Sequence, residues 1–325
     1  TVEFKMSFNN LKVEGFIKSP KNPFFKNTGN NQWDLSHAML PIFGSWISKN
    51  KAYIFYCSRN KKNQSNIGRI LVEIKEDISI TIKKIYKTPI LTPGELGCFD
   101  DNGVSPSSYV INDDGTHFLY YIGWKPRSST RFSLIAGLAK SYDGEVFERN
   151  SRGPLLFQSN EEPLSILTAP WVIFDNGIYR MWYVSGVRWI NEDLPKYNIK
   201  YAESNDGIKW NQTGKIALDN HNGFTSIARP CVVKMKNIYY MWYSAKKPNT
   251  EYQIYCASSN DGIIWDYQNK SNLSYGLSTS IDKDMWDSEM VEYAHVSLYE
   301  KNLIMLFNGN KYGLSGMGLA YKKIN

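Results

Sequence analysis

Cysteine and histidine are scarce in this chain, four of each among 325 residues. Cys57, Cys98, Cys231 and Cys256 are too few and too scattered for a disulfide framework. Three of them lie in apolar runs, where a buried free thiol is the ordinary state. His37, His117, His221 and His295 show no CxxC or HExxH spacing, so no zinc signature is present. No stretch approaches the ~18 uninterrupted apolar residues of a membrane span, and no secretory leader is visible. These absences point to reduced thiols and a cytoplasmic protein, or a secreted one if a leader ahead of Thr1 has been trimmed. Charge of one sign is also weak: 38 basic against 31 acidic residues give +7. The basic clusters, such as Lys246-Lys247, are short, so nucleic acid is not the expected partner. Helical patterning is missing too, since no ten-residue stretch carries a persuasive 3.6-residue period.

What the chain has is aromatic rings, with 10 Trp, 22 Tyr and 15 Phe. Such rings favour strands and line sugar-binding clefts. They recur with order. Ile178-Tyr-Arg-Met-Trp-Tyr183 and Ile238-Tyr-Tyr-Met-Trp-Tyr243 are near copies, each preceded by a proline-led apolar run from Pro170 or Pro230. Each is followed by a turn, Ser204-Asn-Asp-Gly-Ile-Lys-Trp210 or Ser259-Asn-Asp-Gly-Ile-Ile-Trp265. Asn-Gly and Asp-Gly pairs supply the positive φ that tight hairpins need. Fainter copies run from Pro41 to Tyr56, from Pro106 to Tyr121 and from Glu292 to Phe307. Five strand–turn–strand–loop–strand–turn–strand units read as a single all-β domain over residues 1–325, a five-bladed β-propeller. The last unit lacks a fourth strand, which the alternating segment Val2–Phe8 would supply by closing the ring and removing an open edge.

In such a unit the start of the first strand and the end of the second lie on one face, and the Asn-Asp-Gly turns on the other. The site is therefore expected among first-strand starts and the loops after second strands. First-strand approaches carry Asp34, His37, Asp100, Asp101, Glu161, Glu162, Arg229, Asp287 and Glu292; the loops add Arg59, Trp124, Arg188, Trp189, Lys246, Asn308 and Asn310. Carboxylates, cations and indoles in one funnel suit polar ring-shaped ligands.

Proline-led first strands, Met-Trp-Tyr second strands and Ser-x-Asp-Gly-x-x-Trp turns together resemble the five-bladed propeller glycoside hydrolases. These include the arabinanase/β-xylosidase, invertase/levansucrase and mannoside phosphorylase families, and the likeness is strongest to uncharacterised members. The resemblance spans nearly the whole chain. It implies a sugar ringed by three carboxylates from different first strands, one a base or nucleophile, one a general acid, one a tuning residue. The chain departs from that pattern at two acid positions, which hold Ser105 and Thr168.

With those positions lost, Asp34 is expected as base or nucleophile, Glu292 as acid and Asp101 as the tuning residue, all three approaching one cavity. The competing readings are structural: a repeated Trp-Asp loop cap for Asp34 and Asp287, a turn for Asp101, a solvated loop for Glu161 and Glu162, and an ion pair with Arg229 for Glu292. His37, Arg59, Trp124, Glu162, Arg188, Arg229, Lys246, Asn308 and Asn310 are expected to contact substrate, with Arg59, Arg188 and Arg229 converging on an anionic sugar. His295 reads as a core histidine or part of a channel ion site. No cofactor is expected beyond such an ion, and the expected partner is a carbohydrate or activated sugar. The expected activity is glycoside hydrolysis; the alternatives are transfer or phosphorolysis on a sugar nucleotide or sugar phosphate, and sugar binding without catalysis.

Overall fold

The computed structural model describes residues 15–268 and 276–324. The described chain is all β, with no helix among these residues, and so none long and apolar enough to cross a membrane. The strands fall into five successive antiparallel groups. The first holds β2 (Ser36–Ser48), β3 (Lys51–Arg59), β4 (Ser65–Ile74) and β5 (Ile80–Ile85). The second holds β6 (Val104–Ile111), β7 (His117–Pro126), β8 (Phe132–Ser141) and β9 (Glu148–Arg149). The third holds β10 (Ile166–Asp175), β11 (Ile178–Trp189), β12 (Pro195–Ser204) and β13 (Ile216–Leu218). The fourth holds β14 (Ser226–Met235), β15 (Ile238–Lys246) and β16 (Gln253–Ser259), with Asp266 bridging back to Ser258. The fifth holds β17 (Glu292–Tyr299), β18 (Asn302–Asn308) and β19 (Met317–Lys323), and β1 (Ile17–Lys18) pairs antiparallel onto β19.

Neighbouring groups touch at matching places. Short parallel pairings join β8 to β10 and β12 to β14, which makes groups two to four one continuous sheet. A bridge between Ser65 and Gly103 joins group one to group two, and the Val291 amide donates to the Tyr252 carbonyl between groups four and five. The Asn308 side chain joins group five back to group one: it accepts from the Leu40 amide at 2.8 Å and donates to the Ala38 carbonyl at 2.6 Å. The N-terminal closure read from Val2–Phe8 lies outside the described residues; the pairing seen on β19 comes from Ile17 and Lys18.

Side chains between the groups explain the sequence repeat. The Trp182 indole donates to the Gly262 carbonyl at 2.7 Å, and the Tyr120 hydroxyl to the Gly207 carbonyl at 2.9 Å. The aromatic of one second strand thus holds the Asp-Gly turn of the next group. Gly207 is required there twice over, by a φ of +70° and because a Cβ would stand 2.8 Å from the Tyr120 hydroxyl.

Candidate functional site

Every first strand carries an irregularity near its start. Leu40, Ala169 and Arg229, each directly before a proline, adopt φ of 51°, 48° and 54°, and Tyr293 before Ala294 adopts 60°. In group two the register slips instead between Pro106 and Ser108. A left-handed non-glycine residue costs roughly 1–3 kcal/mol and persists only where its surroundings enforce it. Bulges re-aim side chains, and here the same device sits at one level in all five groups. Met39, Leu40, Cys57, Ile122, Ile166, Ala169 and Val184 form a buried cluster there, flanked by Phe132, Trp189, Tyr197 and Tyr293. This end of the molecule, with an apolar floor and an aromatic rim, is where the loop residues must act.

Glu292 opens β17 at this level and is fully buried; a hydrogen bond with the adjacent Tyr293 bears on its carboxyl, and no residue of another strand bonds it. Burial pushes its pKa well above the usual carboxylate range; the positive charge of Lys246 opposes the rise and the negative charge of Glu251 adds to it. An uncharged carboxylic acid is the form such surroundings favour. Tyrosines surround it: the Tyr197 and Tyr252 hydroxyls meet at 2.6 Å, and Tyr293 and Tyr312 both feel its charge. The Lys246 ammonium stands 4.8 Å from the Tyr252 ring centre. No ion pair joins Glu292 to Arg229, so the structural alternative for Glu292 is not the one realised.

The other two expected carboxylates are occupied elsewhere. Asp34 accepts from the Asn31 amide at 2.8 Å and the Asn31 side chain at 3.0 Å. Asp101 accepts from the Gly97 amide at 2.8 Å and pairs with Lys125 at 3.0 Å. No hydrogen bond or ion pair among the described residues links either to Glu292.

The approach loops share a structural task, although the Asp34 carboxylate itself bonds only Asn31 in its own loop. Asp100 accepts from the Tyr121 hydroxyl and from Arg149 Nε, both at 2.9 Å. Glu162 accepts from the Tyr183 hydroxyl and from Ser185, both at 2.8 Å, and from Gln212 at 3.1 Å. In group four, His221 Nε2 meets the Tyr243 hydroxyl at 3.1 Å. In group five, Asp287 pairs with Lys18 at 2.5 Å while Trp286 packs on Phe307, ring centres 5.3 Å apart. In group one, Trp33 lies 6.1 Å from Tyr56, whose hydroxyl feels the Asp34 charge. Each is a clasp that ties the incoming loop to the second strand of its own group. The solvated-loop reading of Glu162 is corrected accordingly: it is buried, with its acceptor capacity spent, and it is not free to hold substrate.

The remaining expected contacts divide. His37, half-buried at φ 64°, has Nδ1 on Ser36 at 2.9 Å; burial and the nearby Arg59 lower its pKa to about 4. It is therefore a neutral imidazole near pH 7. Arg59 bonds Asn63 at 3.2 Å and also acts on the Cys57 thiol. Trp124 is half-buried on β7 beside Leu134, and Arg188 is exposed on the bulged end of β11. Arg229 is buried, bonded through Nη1 to Ser107 of β6. Arg59 and Arg229 both act on the Cys57 thiol, while Arg188 stands in solvent. Asn308 is a seam residue with both amide hydrogens spent, since it also donates to the Gly316 carbonyl. Asn310 accepts from the Glu289 and Met290 amides and braces its own loop. Sequence reasoning missed Tyr197, Tyr252, Tyr293, Tyr312 and Glu251. The aromatic count was the only signal for the four tyrosines, and Glu251 looked like any surface acid.

Two Mycobacterium tuberculosis proteins, the uncharacterized proteins MT1551 and Rv1502, are each 38% identical to this chain over 299 residues, covering 91% of it and 96% of their own length. The chain belongs to the Rv1502 family. No protein-family model matches it. Among solved structures, the Rv1502-family fold resembles a glycosyl hydrolase from Bacteroides ovatus (TM-score 0.70, 13% identity, 95% of this chain and 93% of that one). It also resembles the BT0996 RGII complex (TM-score 0.68, 18% identity, 94% and 92%). A third likeness is to a structure from the GH130 family of mannoside phosphorylases, described as containing glycoside hydrolases that target β-1,2 mannosidic linkages (TM-score 0.67, 14% identity, 97% and 95%). At these identities the likeness is one of fold.

Proposed function

We propose that this chain is a single-domain, five-bladed propeller enzyme that cleaves or transfers a glycosidic bond, with Glu292 as the proton donor. The observation that carries the reading is Glu292 itself: a fully buried carboxyl with no partner outside its own strand, its pKa raised by burial, at the bulged end of the strands. A buried acid with no ion-pair partner is expensive to keep, and a raised carboxyl pKa is what protonation of a leaving oxygen requires. The solvent-facing Glu251, whose charge reaches Glu292, is the proposed second carboxylate, acting as base or nucleophile. Separations of ~5–5.5 Å between two such groups imply retention and ~6.5–9.5 Å inversion. His37 and Arg59 from group one and Trp189 and Tyr312 at the rim would position the sugar.

The five strand groups and the contacts of Asn308 and β1 across the seam support reading the fold as five blades closed into a ring. Transfer or phosphorolysis on a phosphate-bearing sugar is the second reading, favoured by Lys246 acting on Glu292 at the rim. The test is a screen of neutral glycosides, uronosides, sugar phosphates and sugar nucleotides, with and without inorganic phosphate, on the unmodified chain and on Glu292→Gln. Turnover of one class that falls ~10²–10⁴-fold in Glu292→Gln is the expected result. Binding without turnover across all classes would assign the fold to sugar recognition alone.

A further inference from the structure

Arg229 is the most expensive side chain in the molecule that the proposed chemistry does not use. It is 1% exposed, and its partners among the described residues are the Ser107 carbonyl and hydroxyl, at 2.9 and 2.7 Å from Nη1. Nε and Nη2 are buried with no partner. The side chain starts on β14 of group four and ends on β6 of group two, so it crosses the middle of the strand groups instead of pairing with a neighbour. We propose that this crossing creates a buried receptor for a small inorganic anion, of the size and charge of chloride, seated against the free edge of the Arg229 guanidinium.

The surroundings contain donors but no neutralising acid. The groups that act on the guanidinium are the thiols of Cys57 on β3 and Cys231 on β14 and the phenol of Tyr293 on β17. His295, also on β17, feels the Arg229 charge; its ring lies 5.5 Å from Phe43 of β2 and 5.1 Å from Trp171 of β10, and its Nδ1 is buried and unpartnered. Burial keeps each of these uncharged, raising the Cys57 thiol to about 11 and the Cys231 thiol to about 12 and lowering His295 to about 3. No thiolate or carboxylate is there to balance the cation. An unpaired buried charge is rarely tolerated, whereas one small anion would satisfy both free nitrogens. A carboxylate or phosphate carried on a sugar is the other source of such charge. Arg229, Cys57 and Cys231 together expose almost no surface, which leaves no passage for a sugar ring.

The experiment melts the full chain in sodium chloride, bromide and nitrate against sodium gluconate at equal ionic strength, and in glucuronate and glucose 1-phosphate. Expected is a rise of ~2–4 °C per tenfold increase of chloride or bromide above its Kd, with no response to gluconate or the sugar acids. Crystals grown in bromide should show an anomalous peak beside Arg229. Arg229→Met should abolish the halide response, and in gluconate it should melt no lower than the unmodified chain. If that variant fails to fold, the bromide peak decides. Equal melting in all salts, a bromide peak only elsewhere, or a response to the sugar acids alone would overturn the proposal. Glu292→Gln should keep the halide response, so failure of the glycosidase reading and failure of the anion site are seen separately.

Discussion

At Glu292 the cost of burial can be read as a dependence on pH. Its pKa in the folded chain lies well above the unfolded value, so folding takes up a proton at any pH between the two. The stability it contributes is therefore present below pH ~4.5 and is lost as pH rises. Glu292→Gln removes the titrating group. Melting measured between pH 5 and 8 should fall less steeply with rising pH for the variant, and the variant should be the more stable of the two at the upper end. His37 and His295 act in the opposite sense, since burial lowers them to about 4 and about 3. Their neutral forms stabilise the fold above pH ~6.5, and that contribution drains away as pH falls toward those values. His295→Gln should flatten the acid limb of the melting profile; an unchanged limb would mean that His295 is not buried as described.

The five clasps show how a repeat can conceal its own purpose. Asp34, Asp100, Glu162 and Asp287 stand before first strands, where an acid could equally serve catalysis. What separates the roles is the partner, and the partners are ~20 residues or more further along the chain: Tyr121 and Arg149 for Asp100, Tyr183 and Gln212 for Glu162. The strand pattern was legible because period, prolines and Asp-Gly turns are local signals. The state of a carboxyl was not, because burial and pairing are set by other strands. Glu292 was placed correctly in β17 by its spacing from Ala294, yet its tyrosine surroundings come from four separate segments. Two predictions belong to this level. Asp100→Asn should cost about 3–5 kcal/mol by leaving Arg149 uncompensated, less whatever solvent recovers at its partly exposed end, as read by urea unfolding. Gly68→Ala should cost about 1–3 kcal/mol, because a Cβ there would stand 2.0 Å from the Trp33 ring. An alanine variant that melts with the unmodified chain would show that Trp33 has room to move.

Over the whole molecule, adjacent groups are near in sequence except at the seam between the fifth and the first. Asn308 satisfies three backbone groups there, at Leu40, Ala38 and Gly316, and all are buried contacts. Asn308→Ala leaves them bare at ~1–3 kcal/mol for each group that water cannot reach. Unfolding should shift to lower urea with its slope preserved; a changed slope would mean that the groups come apart independently.

The same seam bears on how the chain is made. Asn22 exchanges two 2.8 Å bonds with the backbone of Leu319, 297 residues later. Ile17 and Lys18, among the first described residues to leave the ribosome, pair with Tyr321 and Ala320, among the last. Groups one to four can each fold on local contacts as they emerge, but the fifth cannot be completed until β19 has been made. At ~5–20 residues per second, the early segment waits some tens of seconds with its edge unclaimed. During that interval it is open to capture by another copy on the same messenger, and a chain released before Ala320 and Tyr321 cannot make this pairing.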